Sequence, residues 1–177
     1  PYDQVINALR EMSVIVSPDA STTDTKPWPG WFKVNGANTV LTQEFMDELY
    51  REMRRKRLTD KPMVEICAGK GKLSYQLRKR GIDIVATDAY SQEMERDGGL
   101  VERLNHEEAL QKYQPRVVVA SWIPFNPEIG DDILHFPTVD YFIDIGETPD
   151  GSTWLTPHYK NTEFKIKYLA NVTKYAI

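Results

Sequence analysis

The sequence predicts an α/β domain built on a doubly wound, mostly parallel sheet. Three observations support this fold class: short, nearly continuous apolar runs, candidate helices that alternate with them, and a glycine-rich turn after the first run. Apolar runs of this kind suit parallel strands that are covered by helices on both faces. In such a sheet, ligands bind at the carboxyl ends of the strands, so the turn also marks a candidate binding site.

The alternating pattern begins after Pro62 and predicts five strands, at residues 63–67, 82–87, 100–104, 117–121 and 141–146. A helix is expected at 72–80, where Gly81 ends it, and another at 105–113, where Asn105 caps it. The tail, residues 164–177, has the pattern of two more strands around Ala170 and Asn171, which we expect to pair at the sheet edge.

Residues 1–60 are expected to form an extension before the α/β core at 61–177, within one domain that spans 1–177. The extension contains a candidate helix at 2–12 and a second at 41–57, which Thr42 caps. Between them, the polar stretch 17–38 carries Trp28 and Trp31. Large aromatic rings of this kind are expected to pack against another part of the protein. This stretch is expected either to close over the binding site as a lid or to pack under the N-terminal helix.

Composition narrows the class of protein. The chain has 177 residues, of which 41% are hydrophobic and 27% charged, and this is the range of a globular domain. No apolar run reaches the length of a membrane span, so we expect a cytoplasmic protein without a membrane partner. The single cysteine excludes an internal disulfide, and the formal charge of -4 argues against a general nucleic-acid coat. The histidines at 106, 135 and 158 lack metal-ligand spacing, so no metal site is expected.

The glycine-rich turn contains Gly69 and Gly71, and an isolated acid, Asp88, follows at the end of the second strand. Glycines let a backbone approach a ligand closely, and an acid about twenty residues on can accept hydrogen bonds from ribose hydroxyls. A dinucleotide fingerprint would place a third glycine where Ser74 stands, and a phosphate-binding P-loop is excluded by the spacing. The turn therefore predicts a nucleoside pocket, although Asp88 could also be an ordinary turn residue.

Glu65 is an acid within the otherwise apolar first strand. A buried carboxylate is costly unless it is paired or hydrogen-bonded. Negative charge at this position does not help a site that binds pyrophosphate, whereas it helps a site that binds a cationic ligand. The alternative is that a nearby lysine or arginine neutralises Glu65 inside the core.

Residues 65–71, which read Glu-Ile-Cys-Ala-Gly-Lys-Gly, resemble the first motif of the class I S-adenosylmethionine-dependent methyltransferases. These Rossmann-like proteins carry an acid, a spacer and a glycine-rich turn at the end of the first strand. Two departures are Cys67, where the family usually has glycine, and Asn105, where it usually has an acid. The resemblance covers residues 60–147 and implies a cofactor site of ten residues: Glu65, Cys67, Ala68, Gly69, Gly71, Leu73, Asp88, Ala89, Leu104 and Asn105.

Within that resemblance, Asp88 and Ala89 are expected at the ribose, and Leu104 and Asn105 at the adenine edge. Residues 121–125, after the fourth strand, are similar to the segment that faces the transferred methyl group. The candidates on the catalytic side are therefore Ser121, Trp122 and Pro124, with Glu147 after the fifth strand. The alternative for Trp122 is that its ring packs in the core.

The resemblance implies an S-adenosylmethionine-dependent methyltransferase whose acceptor, a small molecule, a protein or a nucleic acid, the sequence leaves open. A second class is a module or pseudoenzyme that binds the same cofactor without transfer. A third is an NAD-dependent oxidoreductase, which Glu65 and Ser74 disfavour. Cys67 is expected to be a small packed residue and not a nucleophile, since no paired histidine is indicated.

Overall fold

The structure is a computed structural model that describes residues 41–89, 101–123, 127–146, 164–165, 167 and 169–173. The predicted helix at 2–12 and the aromatic stretch at 17–38 lie outside these residues, as do Pro124 and Glu147. Within the described part, no helix has both the length and the apolar content needed to span a bilayer.

A five-stranded, all-parallel sheet lies at the centre of the fold, in the order β3-β2-β1-β4-β5. The five predicted strands are confirmed, and all but the fourth are one or two residues shorter than expected. Their bounds are Met63–Ile66 (β1), Val85–Asp88 (β2), Val101–Arg103 (β3), Val117–Ser121 (β4) and Tyr141–Ile145 (β5).

This strand order makes the fold Rossmann-like, as predicted. The chain adds β2 and β3 on one side of β1 and then returns to add β4 and β5 on the other. A topological switch point therefore lies between β1 and β4, and ligands of open α/β sheets bind outside the carboxyl ends of the strands at such a point.

Five helices are described: Gln43–Arg55 (α1), Lys72–Arg78 (α2), His106–Tyr113 (α3), Pro127–His135 (α4) and Ala170–Thr173 (α5). The predicted caps are confirmed, because the Thr42 hydroxyl accepts from the Phe45 amide and Asn105 begins α3 with a capping box. Helix α4 was not predicted. Its signals were proline at the first helical position and apolar Ile129 and Ile133 four residues apart, both of which are buried.

The expectation of two strands in the tail was wrong for Ala170–Thr173, which is helical. Val172 is buried in the cluster that contains the apolar side of α1, while the Asn171 amide lies within hydrogen-bond distance of Glu48 and Glu52 on that helix. The segment therefore packs against a helix instead of extending the sheet, and this contact is not visible in so short a pattern.

Alternate residues of the central strands pack into two apolar clusters, one on each face of the sheet. One cluster joins Met63, Val117 and Val119 to α1 and α2, and the other joins Val64 and Ile66 to α3 and α4. The sheet is thus covered on both faces, which explains why its strands read as continuous apolar runs. Because the core holds the strands rigidly, their carboxyl ends form a fixed edge.

Candidate cofactor site at the carboxyl edge of the sheet

The turn after β1 is tied to the end of β2 by backbone and side-chain hydrogen bonds. The Ala68 amide donates to the Thr87 carbonyl at 3.0 Å, and the Gly69 amide donates to Asp88 Oδ2 at 2.8 Å. The Gly71 amide closes the turn on the Ala68 carbonyl at 2.8 Å. Three amides of the turn are therefore occupied by acceptors inside the protein, and the Asp88 carboxylate is fixed beside Gly69.

Both glycines of the turn have left-handed backbone conformations, with φ of 55° at Gly69 and 71° at Gly71. Gly71 has a second constraint. A Cβ atom at this position would lie 2.6 Å from Cγ2 of Val101 in β3, which is closer than non-bonded carbon atoms can approach. Gly71 therefore permits both the turn and the close packing of the start of α2 against β3.

Two non-glycine residues at the same edge are also left-handed: Cys67 directly after β1 and Trp122 directly after β4, each with φ of 56°. The two strands are neighbours, with Ile66 opposite Ala120. A left-handed conformation costs a side-chain-bearing residue about 1–2 kcal/mol, and such strain tends to occur at functional sites. Glycine adopts this conformation without strain, so it would suit the position of Cys67.

The Cys67 thiol is half-buried, and its pKa is raised to about 12. Burial is the main cause, and the negative charges of Asp88 and Glu65 add to it. A thiol with this pKa is almost entirely protonated near neutral pH, so the structure supports the prediction that Cys67 is not a nucleophile.

Glu65 is the deepest acid of the site, with only 1% of its surface exposed. Its Oε2 accepts hydrogen bonds from the Ser74 amide, at 2.9 Å, and from the Ser74 hydroxyl. Burial raises the pKa of Glu65 to about 7, although the two bonds from Ser74 and the charge of Arg78 oppose this shift. Ser74, and not a lysine or an arginine, therefore makes these hydrogen bonds to the Glu65 carboxylate.

The residues predicted at the ribose and adenine lie along the same edge. Ala89 is exposed next to Asp88, and Leu104 and Asn105 follow β3, which pairs with β2. The Asn105 side chain accepts from the Glu108 amide at 2.8 Å as the cap of α3. Leu73, by contrast, is buried in the apolar cluster under α1, so its side chain supports the turn from the interior.

On the catalytic side, the structure describes Ser121 and Trp122 but not Pro124 or Glu147. Ser121 is the last residue of β4 and lies opposite Ile145, whose carbonyl accepts from the Trp122 amide at 2.7 Å. Trp122 is partly exposed, whereas the next residue, Ile123, is the one that packs in the core. The backbone of Trp122 is thus held at the edge of the sheet.

Sequence reasoning missed Asp144, a half-buried acid in β5 opposite Ala120. Its signal was the same as that of Glu65, a carboxylate within an apolar strand. Asp144 lies one residue before the end of β5, so it adds a further acid near the edge formed by β1, β4 and β5.

Comparisons with protein-family models, with curated proteins and with solved structures found no match for this chain.

Proposed function

We propose that this protein binds S-adenosylmethionine at the carboxyl edge of its sheet and transfers the methyl group to an acceptor. The proposed cofactor pocket is formed by the turn at 67–71, by Asp88 and Ala89 after β2, and by Leu104 and Asn105 after β3. The proposed acceptor side is formed by Ser121, Trp122, Pro124 and Glu147.

The observation that carries the proposal is the internal bonding of the glycine turn. A turn that binds pyrophosphate offers free amide groups to the phosphate oxygens. Here Ala68, Gly69 and Gly71 donate to Thr87, Asp88 and Ala68. A ligand without phosphate fits this turn better than a dinucleotide does, so the same observation weighs against the NAD-dependent alternative.

The acids of the site favour a cationic ligand with ribose hydroxyls. Asp88 is partly exposed at the end of β2, where a carboxylate can accept from both hydroxyls of a ribose. The charges of Asp88 and Glu65 also raise the pKa of Cys67, which indicates a negative potential at the turn. Since Glu65 contacts Ser74, we assign it an indirect role: it holds the turn against α2 and adds to that potential.

When bound, S-adenosylmethionine would supply an activated methyl group, and a lone pair of the acceptor would displace the thioether from the methyl carbon. The new bond joins acceptor and methyl carbon, the carbon–sulfur bond breaks, and any proton on the acceptor passes to water or to a basic side chain. The protein then needs to align the acceptor and exclude water. Trp122, held at the edge by its bond to Ile145, is the proposed platform for the acceptor, and Glu147 is the candidate proton acceptor.

Calorimetric titration with S-adenosylmethionine, its demethylated product and NAD tests the binding step. We expect saturable binding of the first two with one site per chain, and no binding of NAD. Binding of NAD alone would overturn the proposal. Transfer of labelled methyl groups into fractionated cell extract tests the second step. A protein that binds the cofactor but labels no fraction would be a binding module and not an enzyme.

A further inference from the structure

A second group of side chains with metal-binding chemistry lies between α3 and α4. His106 and Glu107 stand in the first turn of α3, and Asp132 lies in α4. One ligand atom from each residue lies within 4.8 Å of the other two. His106 Nε2 and Asp132 Oδ2 are only 2.7 Å apart although the residues are 26 positions apart in the chain.

Among the described residues, the carboxylates of this group lack the lysine or arginine partner that several other acids have. Among those acids, Glu102 pairs with Lys112, and Asp140 pairs with Lys61 and Arg116. Within the part of the chain that the structure describes, no lysine or arginine forms an ion pair with Glu107 or Asp132. The two carboxylates offer oxygen ligands, and the imidazole offers a nitrogen ligand, to a divalent cation.

We propose that His106, Glu107 and Asp132 bind a divalent first-row transition metal, with Zn²⁺ as the reference ion. Metal–ligand bonds of about 2.1 Å place the ligand atoms around one ion about 3–4 Å apart. The three ligand atoms of this group lie within 4.8 Å of one another, which is close to that separation. One imidazole nitrogen with two carboxylate oxygens suits Zn²⁺, Mn²⁺, Co²⁺ or Ni²⁺, whereas Mg²⁺ and Ca²⁺ prefer oxygen ligands alone. Water would complete the coordination.

The site would join two helices that follow different strands. Helix α3 begins directly after Leu104 and Asn105, and α4 lies between β4 and β5. A metal bound to both helices would therefore stabilise this side of the fold, and it does not depend on the proposed methyl transfer. The sequence predicts no metal site, because His106 has no ligand partner at a regular spacing; only the packing of α3 against α4 brings Asp132 to it.

The test is titration of the full chain, after treatment with EDTA and its removal, with ZnCl₂ and in parallel with MgCl₂. We expect one saturable Zn²⁺ site per chain, a melting temperature about 5 °C higher at saturation, and no comparable effect of Mg²⁺. No saturable Zn²⁺ binding would overturn the proposal.

Variants locate the site. His106→Gln and Asp132→Asn are expected to weaken Zn²⁺ binding at least about tenfold. Because both also alter the existing contact between the helices, Glu107→Gln provides the cleaner test: Glu107 is exposed, so the metal-free melting temperature should stay the same while affinity falls.

The matched control is His135→Gln, in the same helix α4 as Asp132, where the ring Nδ1 lies 2.8 Å from the Asp131 carbonyl. This variant should bind Zn²⁺ like the unaltered protein. Equal loss in His135→Gln, or unchanged affinity in all three site variants, would overturn the assignment. Mg²⁺ binding as tight as Zn²⁺ binding in the unaltered protein, if it persists in His106→Gln, would do so as well, because it would indicate a site of oxygen ligands alone.

Discussion

Ser74 donates both its amide and its hydroxyl to the same oxygen of Glu65, and both residues are almost completely buried. The pair joins strand β1 to helix α2 underneath the glycine turn. It also gives a physical reason why the third glycine of a dinucleotide fingerprint is missing. A glycine at position 74 could offer Glu65 only the amide, whereas serine supplies a second donor to a carboxylate that burial would otherwise destabilise.

The pH dependence of stability should report on Glu65. Its pKa is about 7 in the folded protein and 4.5 in the unfolded chain, so the folded state binds more protons between these values. The free energy of unfolding should therefore fall as pH rises from 4.5 to 7, by about 3 kcal/mol in total, and then level off. Urea unfolding at intervals across this range measures the slope.

The matched variant is Glu65→Gln, which keeps an acceptor for Ser74 but cannot ionise. Its stability should not show the part of the decline that belongs to Glu65. Three other acids, Glu52, Glu102 and Asp140, have lowered pKa values. They change the free energy of unfolding mainly below pH 4.5, and both proteins contain them. Parallel pH profiles for the two proteins would contradict the assignment.

Gly71→Ala should destabilise the protein more than Gly81→Ala does. Both glycines are left-handed, with φ of 71° and 82°, so both variants incur backbone strain of about 1–2 kcal/mol. Only at position 71 would the new methyl group collide with Val101, which adds about 1–3 kcal/mol of overpacking. Equal losses in chemical denaturation would show that Val101 moves aside without cost.

At Cys67, glycine should be more stable than alanine. Both substitutions remove the thiol, but alanine retains the left-handed strain at φ of 56°. The strain of about 1–2 kcal/mol exceeds the entropy cost of glycine, about 0.5–1 kcal/mol, which leaves glycine ahead by about 0.5–1 kcal/mol. The comparison is made by urea denaturation of the two variants, and a more stable Cys67→Ala would indicate that the turn relaxes.

Asp88→Ala should weaken binding of S-adenosylmethionine at least about tenfold, which corresponds to about 1.4 kcal/mol. It removes the proposed acceptor for ribose hydroxyls and the bond that holds the Gly69 amide. Asp88→Asn retains an oxygen for Gly69 and separates the loss of charge from the loss of geometry. The control is Asp83→Ala, an exposed acid before β2, which should leave calorimetric affinity unchanged. Unchanged affinity in Asp88→Ala would place the ribose elsewhere.

Strands were easier to predict than the structures between and after them. Strands β1 and β4 are buried on both faces, so each is recognisable in the sequence as a nearly continuous apolar run. Helix α4 was missed although Ile129 and Ile133 carry a helical spacing, because the run is short and bounded by prolines. The helix at Ala170–Thr173 was mistaken for strand, since four residues do not distinguish the two periods and packing against α1 decides between them.

The sequence by itself determined the parallel α/β sheet, the glycine turn and the position of Asp88 at a strand end, because these follow from local patterns of apolarity and glycine. Only the tertiary structure decided where the polar groups point. It bonds Glu65 to Ser74, occupies three amides of the turn, and brings His106 beside Asp132 from another helix. Such contacts join residues that are distant in the chain, and a buried carboxylate accepts whichever donors the packing places within hydrogen-bond distance.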